Sequence, residues 1–405
     1  MDLQGTSFIG AGRGSGGAGE SRAVNPVSGE EMEPAYLAEG EESVEAVCSL
    51  AAAAFVDFRE RSGAEKAGFL RAIADEVDAL EEEIVSRMTR ETGLPEGRCR
   101  MEKGRTCGQL RLFASLLEEG SWVDARIDHA DPDRAPVAKP DCRSMWRPMG
   151  PVVVFCASNF PLAYSVAGGD TASALASGCP VIVKAHGSHP GTAEIVATAV
   201  RIAVEKCGMH EGVFSMLYGS GRTIGQSLVR HSVVRAVGFT GSRNGGRALM
   251  DAAAARPEPI PVWAEMSAIN PVFVLPGALR ERGDAIAEGF VGSLTLGVGQ
   301  FCTNPGLLIA GGEGRSQFAE RIASLAGEAA PAAMLHKGIA EAYQDALKAM
   351  MTKEGVETLA QVPVEDGSSQ GGAVVLGADA AGFLSDQAMA EEMFGPATLM
   401  VSADD

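Results

Sequence analysis

The chain has 405 residues, of which 46% are hydrophobic and 21% are charged, and its formal net charge is −19 at pH 7. This size and composition are typical of a globular protein with two or three domains and a large core. The negative charge disfavours nucleic acid and anionic membranes as partners, since both repel an acidic chain. The N-terminal stretch MDLQGTSFIGAGRG lacks the basic and apolar regions of a signal peptide, so we expect a cytoplasmic protein.

The cysteines and histidines do not form a metal-binding pattern. Eight cysteines and six histidines are scattered along the chain, with no CxxC pair and no zinc-type spacing. We therefore expect reduced thiols and no metal ion.

A nearly uncharged stretch runs from Pro151 to Val183 and contains only Asp170 as a charged residue. Glycine, proline and Asn159 interrupt it, whereas a membrane-spanning helix needs about 20 predominantly apolar residues. The pattern favours a strand, a turn, a buried helix and a second strand.

Residues 1–35 are rich in glycine and proline and predict short strands and turns. Their GRGSGGAG stretch matches GxGxxG twice. The dinucleotide fingerprint requires a helix at its third glycine, but ESRAVNPVSGE, which follows, has no helical periodicity. We interpret the match as a glycine-rich loop.

Helical periodicity follows. Apolar residues at spacings of three and four predict helices over 43–60, 64–93 and 107–120. Residues 125–147 are polar and contain three prolines, which predicts a hairpin that leaves the main body.

Short apolar runs then alternate with helical segments, which indicates βαβ units and a parallel sheet. The predicted strands are 151–156, 180–185, 213–219 and 234–241, with helices at 161–178, 190–206 and 222–230. The PEPIP sequence near residue 260 marks a domain boundary. A second series has strands at 271–275 and 306–310 and helices at 281–296 and 315–327.

The loop GVGQFCTNPG, residues 297–306, places Cys302 among glycines and uncharged polar residues. Its glycines allow close backbone approach to a ligand, and Asn304-Pro305 marks a turn. Taken alone, this stretch is equally compatible with a nucleophilic thiol and with a turn that happens to contain a cysteine.

Two further polar residues have surroundings suited to chemistry. Glu265 lies in the uncharged segment WAEMSAINP, where a lone carboxylate can work as a general base. Asn159 follows a predicted strand directly, and its amide can donate to an oxyanion.

Residues that suit a nucleotide follow three other strands. Lys184 ends the strand VIVK, and Arg222 lies in the glycine turn GSGRTIG. In GFTGSRNGG, Ser242 opens a helix whose free N–H groups can bind phosphate, and Gly241 and Gly246 allow close backbone approach. Each signal is weak alone, and the alternative for Lys184 is an ordinary surface lysine.

A thiol, a carboxylate base, an amide donor and a phosphate-binding sheet together indicate covalent oxidation of an aldehyde. In chain order, NFPLA, VIVKAH, GFTGS, AEMSAINP, GQFCTNPG and EEMFGP resemble the signature of the aldehyde dehydrogenase superfamily. NPVSGE and RETGLP fit as well, so the resemblance covers essentially the whole chain. The longer run from Asn159 to His186 is similar to the NADP-preferring branch, which includes α-ketoglutarate semialdehyde (2,5-dioxovalerate) and long-chain aldehyde dehydrogenases.

The resemblance implies a Rossmann-like cofactor domain, an α/β catalytic domain and a protruding β-hairpin. We expect the cofactor domain at 1–124 and 148–260, an oligomerisation hairpin at 125–147, and the catalytic domain at 261–405. A homodimer or homotetramer is implied.

The resemblance also assigns roles. It makes Cys302 the nucleophile, Glu265 the general base, and Asn159 an oxyanion donor together with the Cys302 backbone N–H. It further implies that Lys184 binds the adenosine ribose and Ser242 the pyrophosphate, and that Glu392 and Phe394 bind the nicotinamide ribose and ring.

Two departures from the family pattern carry expectations of their own. NAD-specific members often have an acidic residue three positions after the lysine, where this chain has Gly187. With Arg222 expected nearby, this favours NADP, although NAD remains possible. Family chains continue well past EEMFGP, so we expect a fragment or a shortened chain whose catalytic domain is incomplete.

The substrate expected from this branch is a semialdehyde that bears a carboxylate. Arg105 and Gln109 share one helix face in a region that lines the entrance in relatives, although a solvated helix face explains the spacing equally well. The alternatives are a long-chain aliphatic aldehyde dehydrogenase and a truncated relative that binds nucleotide without turnover.

Overall fold

The computed structural model describes residues 1–365 and 367–403, and it is an α/β structure, as the sequence predicts. The strands are β1 (Phe8–Ile9), β2 (Gly12–Arg13), β3 (Glu20–Val24), β4 (Glu31–Leu37), β5 (Arg126–Asp128), β6 (Cys142–Ser144), β7 (Val152–Phe155), β8 (Val181–Lys184), β9 (Phe214–Leu217), β10 (Ala236–Thr240), β11 (Val262–Glu265), β12 (Pro271–Val274), β13 (Leu307–Gly311), β14 (Ala332–Ala333), β15 (Glu357–Gln361), β16 (Gln370–Gly371), β17 (Val374–Asp379) and β18 (Ala397–Ala403).

The helices are α1 (Glu41–Phe58), α2 (Gly63–Ala79), α3 (Glu81–Thr92), α4 (Glu96–Glu119), α5 (Gly169–Ala176), α6 (Pro190–Lys206), α7 (Gln226–Arg230), α8 (Arg243–Ala254), α9 (Pro276–Thr295), α10 (Arg315–Gly327), α11 (Lys337–Met351) and α12 (Ala380–Ser385). No helix in the described part of the chain is long and apolar enough to cross a membrane.

Contacts within the chain divide it into two compact units. The first unit comprises Met1–Ala23, Met32–Thr89 and Pro95–Glu265, and the second comprises Val24–Glu31, Arg90–Leu94 and Met266–Asp405. The boundary expected at residue 260 therefore lies inside the first unit. Two short N-terminal segments belong to the second unit, which a single cut in the sequence does not anticipate.

The first unit contains a seven-stranded sheet in the order β11-β10-β7-β8-β9-β1-β2. Its five strands from β11 to β9 are mutually parallel. The strands β7, β8 and β9 are buried along almost their whole length, as their unbroken apolar sequences require in a parallel sheet.

The strand order reverses beside β7. The chain runs from β7 outward through β8 to β9, and then crosses to the other side of β7 to form β10 and β11. In open α/β sheets, ligands bind at the carboxyl ends of the strands at such a reversal. The ends of β7 and β10 therefore mark the expected ligand crevice of this unit.

Several predicted helices differ from those observed. The helix expected at 161–178 is reduced to α5, because residues 157–168 form turns. The helix expected at 64–93 is two helices, α2 and α3, separated at Leu80. In place of a helix at 222–230, a π-helical turn at Gly221–Gly225 precedes α7, and Arg222 lies in that turn.

Two regions outside the main sheet match the sequence analysis. Strands β5 and β6 pair in antiparallel fashion and form the expected hairpin. No helix opens within GRGSGGAG; the loop leads from β2 to β3 instead. There Gly14 packs so closely on the buried carboxylate of Glu39 that an added Cβ would lie 1.9 Å from its oxygen.

The second unit contains a five-stranded sheet in the order β12-β13-β18-β17-β15. The first four strands are parallel, and β15 pairs with β17 in antiparallel fashion. Helix α9 begins at Pro276, earlier than expected, and has a non-helical residue at Arg282. Strand β13 follows the cysteine loop, so the sheet fixes where that loop ends.

Candidate active site

The candidate nucleophile lies on a tightly wound loop of the second unit. Cys302 is half-buried and follows a short turn in which Gly297, Val298 and Gly299 have φ values of 57°, 57° and 65°. A positive φ is common for glycine but strained for a β-branched valine. Such strain persists where surrounding contacts impose it, and it is concentrated at functional sites.

The contact that imposes this shape is a close approach of two backbones. A Cβ added to Gly299 would lie 2.3 Å from the carbonyl carbon of Gly395 and 2.4 Å from the nitrogen of Pro396. The side-chain amide of Asn304 also donates to the Gly395 carbonyl at 3.0 Å. The cysteine loop is therefore joined directly to the segment that precedes β18.

That segment carries two predicted cofactor residues. Glu392 and Phe394 are both half-buried in the turn before β18. The second unit thus brings the Cys302 loop together with the segment that holds Glu392 and Phe394.

Asn270 is a residue of this site to which the sequence analysis gave no role. Its side-chain amide donates to the carbonyl of Cys302 at 2.6 Å and to that of Asn304 at 3.1 Å. Its φ is 48°, a conformation that asparagine tolerates better than most residues. The only sequence signal was its place in the quoted motif AEMSAINP, where the dipeptide Asn-Pro indicates a turn.

Several of the other thiols are held in the protonated form by burial. Burial raises the pKa of Cys48 and Cys107 to about 12 and that of Cys156 to about 11. Burial also raises the pKa of the half-buried Cys207. A nucleophile requires the thiolate, so the half-exposed Cys302 in its turn is the better candidate.

The predicted residues of the first unit lie at the carboxyl edge of its parallel strands. The register aligns Phe155 of β7 with Lys184 of β8 and with Phe239 of β10, and Thr240 with Glu265 of β11. Because these strands are parallel, the residues that end or follow them share one edge of the sheet. Those residues are Asn159, Lys184, Gly187, Arg222, Gly241, Ser242 and Glu265.

Asn159 is half-buried in the turns after β7, and a buried carboxylate from α4 shapes those turns. Glu102 is 1% exposed and accepts from the backbone N–H groups of Leu162 and Ala163, both at 2.9 Å. It also pairs with Arg98 at 2.5 Å. Charge-assisted bonds of this kind are strong, so Glu102 holds the backbone that positions Asn159.

The segments at the ends of β8 and β9 leave space for a nucleotide. Lys184 is half-buried, and burial lowers the pKa of its ammonium. Gly187 is exposed, and a Cβ added there would meet no atom within 4 Å. Arg222 is exposed on its π-helical turn, a feature that is often functional.

Ser242 is the N-cap of α8, and its hydroxyl accepts from the N–H of Gly245 at 3.2 Å. Gly241 passes over the ring of Phe239, and the buried Gly246 lies in the first turn of the helix. Ser242 and Gly241 are exposed, so the N-terminal N–H groups of α8 are placed to meet a phosphate.

Glu265 is exposed at the end of β11, which is the edge strand of the sheet. Its backbone carbonyl accepts from the N–H of Gly241 at 3.0 Å, which ties it to the loop after β10. It is the last residue of the first unit, and Met266 begins the second.

The predicted substrate residues face the turns that carry Asn159. The Arg105 guanidinium donates to the hydroxyl of Tyr164 at 2.9 Å and lies over the rings of Phe160 and Tyr164, at 5.5 and 5.2 Å. The Gln109 amide lies next to Gly169, 3.1 Å from the position of an added Cβ. Both side chains therefore contact these turns, and Arg105 is at the same time exposed.

No group of three or more His, Cys, Asp or Glu side chains among the described residues is arranged to hold a metal ion. The polar groups present, namely helix N–H groups, a lysine and an arginine, fit an anionic organic cofactor.

Comparisons with known proteins identify the family of the chain. The model of the aldehyde dehydrogenase family matches residues 15–405. Alpha-ketoglutaric semialdehyde dehydrogenase 2 of Azospirillum brasilense is 51% identical, with 100% of this chain and 78% of that protein covered. Alpha-ketoglutaric semialdehyde dehydrogenase of Acinetobacter baylyi is 41% identical, with 90% and 69% covered.

Solved structures establish the fold. An NAD-dependent benzaldehyde dehydrogenase from Corynebacterium glutamicum superposes with a TM-score of 0.82 at 22% identity, covering 100% of this chain and 85% of that one. Aldehyde dehydrogenase C from Pseudomonas syringae, complexed with NAD+ and octanal, superposes with a TM-score of 0.84 at 20% identity, covering 99% and 80%. The ordered motifs, the strand edge and these matches show that the chain belongs to the aldehyde dehydrogenase family.

Proposed function

We propose that the protein oxidises α-ketoglutarate semialdehyde to 2-oxoglutarate, with NADP as the preferred cofactor. The observation that carries this proposal is the half-exposed Cys302 on a loop tied by Asn270 and by the Gly299–Gly395 contact. The substrate follows from the two relatives that are 51% and 41% identical, both of which carry the name α-ketoglutaric semialdehyde dehydrogenase.

Cys302 acts as the nucleophile in this proposal. Its thiolate adds to the aldehyde carbon and forms a thiohemiacetal, whose oxyanion accepts hydrogen bonds from the Asn159 amide and the Cys302 N–H. The hydride then leaves the same carbon, and the nicotinamide cofactor, when bound, supplies the acceptor. A thioester remains on Cys302. Glu265 removes a proton from water, which attacks the thioester and releases the carboxylic acid and the thiol.

The residues at the strand edge bind the cofactor. The N–H groups at the start of α8, next to Ser242, receive the pyrophosphate, and Lys184 receives the adenosine ribose. Glu392 and Phe394 hold the nicotinamide ribose and ring. The open space at Gly187 and the exposed guanidinium of Arg222 favour a 2′-phosphate, because residue 187 carries no carboxylate that would repel it.

Arg105 receives the carboxylate of the substrate. Its guanidinium is held over Phe160 and Tyr164, on the turns that carry the oxyanion donor Asn159. A preorganised arginine binds a carboxylate with two parallel hydrogen bonds, and Gln109 lies one turn further along the same face.

We also infer a cytoplasmic homodimer or homotetramer that uses the 125–147 hairpin for assembly. The hairpin exposes apolar side chains, among them Ile127 in β5 and Val137 in the connection to β6, which a partner surface would cover. We assign cofactor binding to the first unit and thiol chemistry to the second.

The first test is reduction of NADP, followed at 340 nm, with α-ketoglutarate semialdehyde and a fatty aldehyde offered in parallel. We expect turnover of the semialdehyde, and we expect Cys302→Ser to lower kcat by about 1000-fold or more because a serine is a far weaker nucleophile. Cys207→Ser, at another partly exposed thiol, is the matched control and keeps full activity. Preferential turnover of the fatty aldehyde would reject the substrate, and an active Cys302→Ser enzyme would reject the mechanism.

Arg105→Ala is expected to raise KM for the acidic aldehyde about 10- to 100-fold and to leave KM for a neutral aldehyde unchanged. The reason is that the substitution removes the charge-assisted bond to the carboxylate. Arg111→Ala on the same helix is the control, since Arg111 pairs with Asp75 and Asp78 instead. Equal increases of KM for both aldehydes would show that Arg105 has only a structural role.

Cofactor preference is tested with Gly187→Glu and Arg222→Ala. We expect each variant to lower kcat/KM for NADP about tenfold and to leave kcat/KM for NAD nearly unchanged, through repulsion or a lost ion pair at the 2′-phosphate. Arg230→Ala, an exposed arginine of α7, controls for general loss of charge. Comparable kcat/KM values for NAD and NADP in the parent enzyme would contradict the assignment.

Asn270 is expected to act as a positioning residue for Cys302. Asn270→Asp and Asn270→Gly both tolerate the positive φ, but both lose the two donated hydrogen bonds. We expect each to lower kcat about 10- to 100-fold and to change the alkylation rate of Cys302, with KM for the cofactor unchanged. A fully active Asn270→Gly enzyme would show that only the backbone conformation matters.

A further inference from the structure

A cavity lies in the first unit, at the base of the 125–147 hairpin. Its volume is about 280 Å³. The apolar part of its lining is formed by Leu117, Trp122, Val123, Met145, Trp146 and Pro148. None of these residues belongs to the strand edge that carries the candidate active site, so the cavity is a separate feature.

Lys66 is the unusual residue of this cavity. It is only 6% exposed, and its Nζ lies 5.8 Å from the ring centroid of Trp122. Among residues 1–365 and 367–403, no direct ion pair or hydrogen bond holds its ammonium, although Glu65 and Cys179 attract it electrostatically. A lysine so enclosed by protein loses part of its hydration, and an aromatic face compensates only part of that cost.

The other charged residues of the lining are already paired. Arg59 and Arg147 both contact Glu60, at 3.2 and 3.0 Å, and Arg61 pairs with Asp57 at 2.9 Å. Within the described lining, Lys66 is therefore the cation without a direct ion pair. The Lys66 ammonium can therefore pair with one anionic group of a ligand, next to apolar and aromatic walls.

We propose that this cavity binds a small monocarboxylate with an apolar body, whose carboxylate pairs with the Lys66 ammonium and whose body packs on Trp122 and Trp146. An inorganic phosphate would leave the apolar walls uncovered, and a neutral apolar molecule would leave the ammonium unpaired. Burial also lowers the pKa of Lys66, which a bound carboxylate would reverse.

The test uses benzoate, with benzyl alcohol as the neutral analogue, on the whole chain. Two of the three tryptophans line the cavity, so tryptophan fluorescence and Tm both report binding. We expect saturable binding of benzoate and at least tenfold weaker binding of benzyl alcohol, because only the anion pairs with the ammonium. Equal binding of both compounds, or no saturable binding of benzoate, would overturn the proposal.

Lys66→Met keeps the apolar stem and removes the charge, and we expect it to weaken benzoate binding about 10- to 100-fold. Lys206→Met, at an exposed lysine, is the matched control and should bind as the parent does. Trp122→Leu removes the ring that faces the Lys66 ammonium, lies outside the 125–147 hairpin, and should weaken benzoate binding. Unchanged benzoate binding in Lys66→Met would place the benzoate elsewhere, for example at the active site, and would reject the cavity.

Discussion

The position of the candidate nucleophile depends on a contact between two backbones. Gly299 lies against Gly395 and Pro396 so closely that any side chain at residue 299 would overlap them. That contact holds the turn before Cys302 in a left-handed conformation and forces Val298 into a strained φ. The hydrogen bonds from Asn270 and Asn304 then secure the chain at Cys302 and just after it. The glycines of the loop therefore serve internal packing at least as much as access for a ligand.

A different constraint operates at the edge of the first unit's sheet. Parallel pairing brings the strand ends together whatever their distance in sequence, but it does not fix the shape of the loops that follow them. A carboxylate from helix α4 supplies that shape after β7. Glu102 satisfies two backbone N–H groups that would otherwise be buried without acceptors, and the turns around Asn159 follow from those bonds.

The difference between strand pairing and loop shape explains which parts of the molecule could be predicted from the sequence. Apolar runs such as VVVF and VIVK identified the buried strands, and glycine-rich turns at their ends identified the strand edge. The helix expected at 161–178 was mostly wrong, because the bonds from Glu102 come from a residue some 60 positions earlier. The role of Asn270 was missed for the same reason, since its partners lie more than 30 residues away. Short-range periodicity carries no information about such long-range side-chain-to-backbone bonds.

One face of helix α4 both supports the segment from Phe160 to Gly169 and carries an exposed arginine. Arg98, Glu102, Arg105 and Gln109 follow one another at helical spacing, and all four lie against the segment from Phe160 to Gly169. Glu102 and Arg98 are buried or nearly so and hold the segment, whereas Arg105 is exposed. The same helix face therefore fixes the turn that carries Asn159 and places an exposed cation beside it. In this arrangement the exposed arginine can be exchanged without disturbing the buried carboxylate, so the side chain next to the turn can change while the scaffold of the turn is kept.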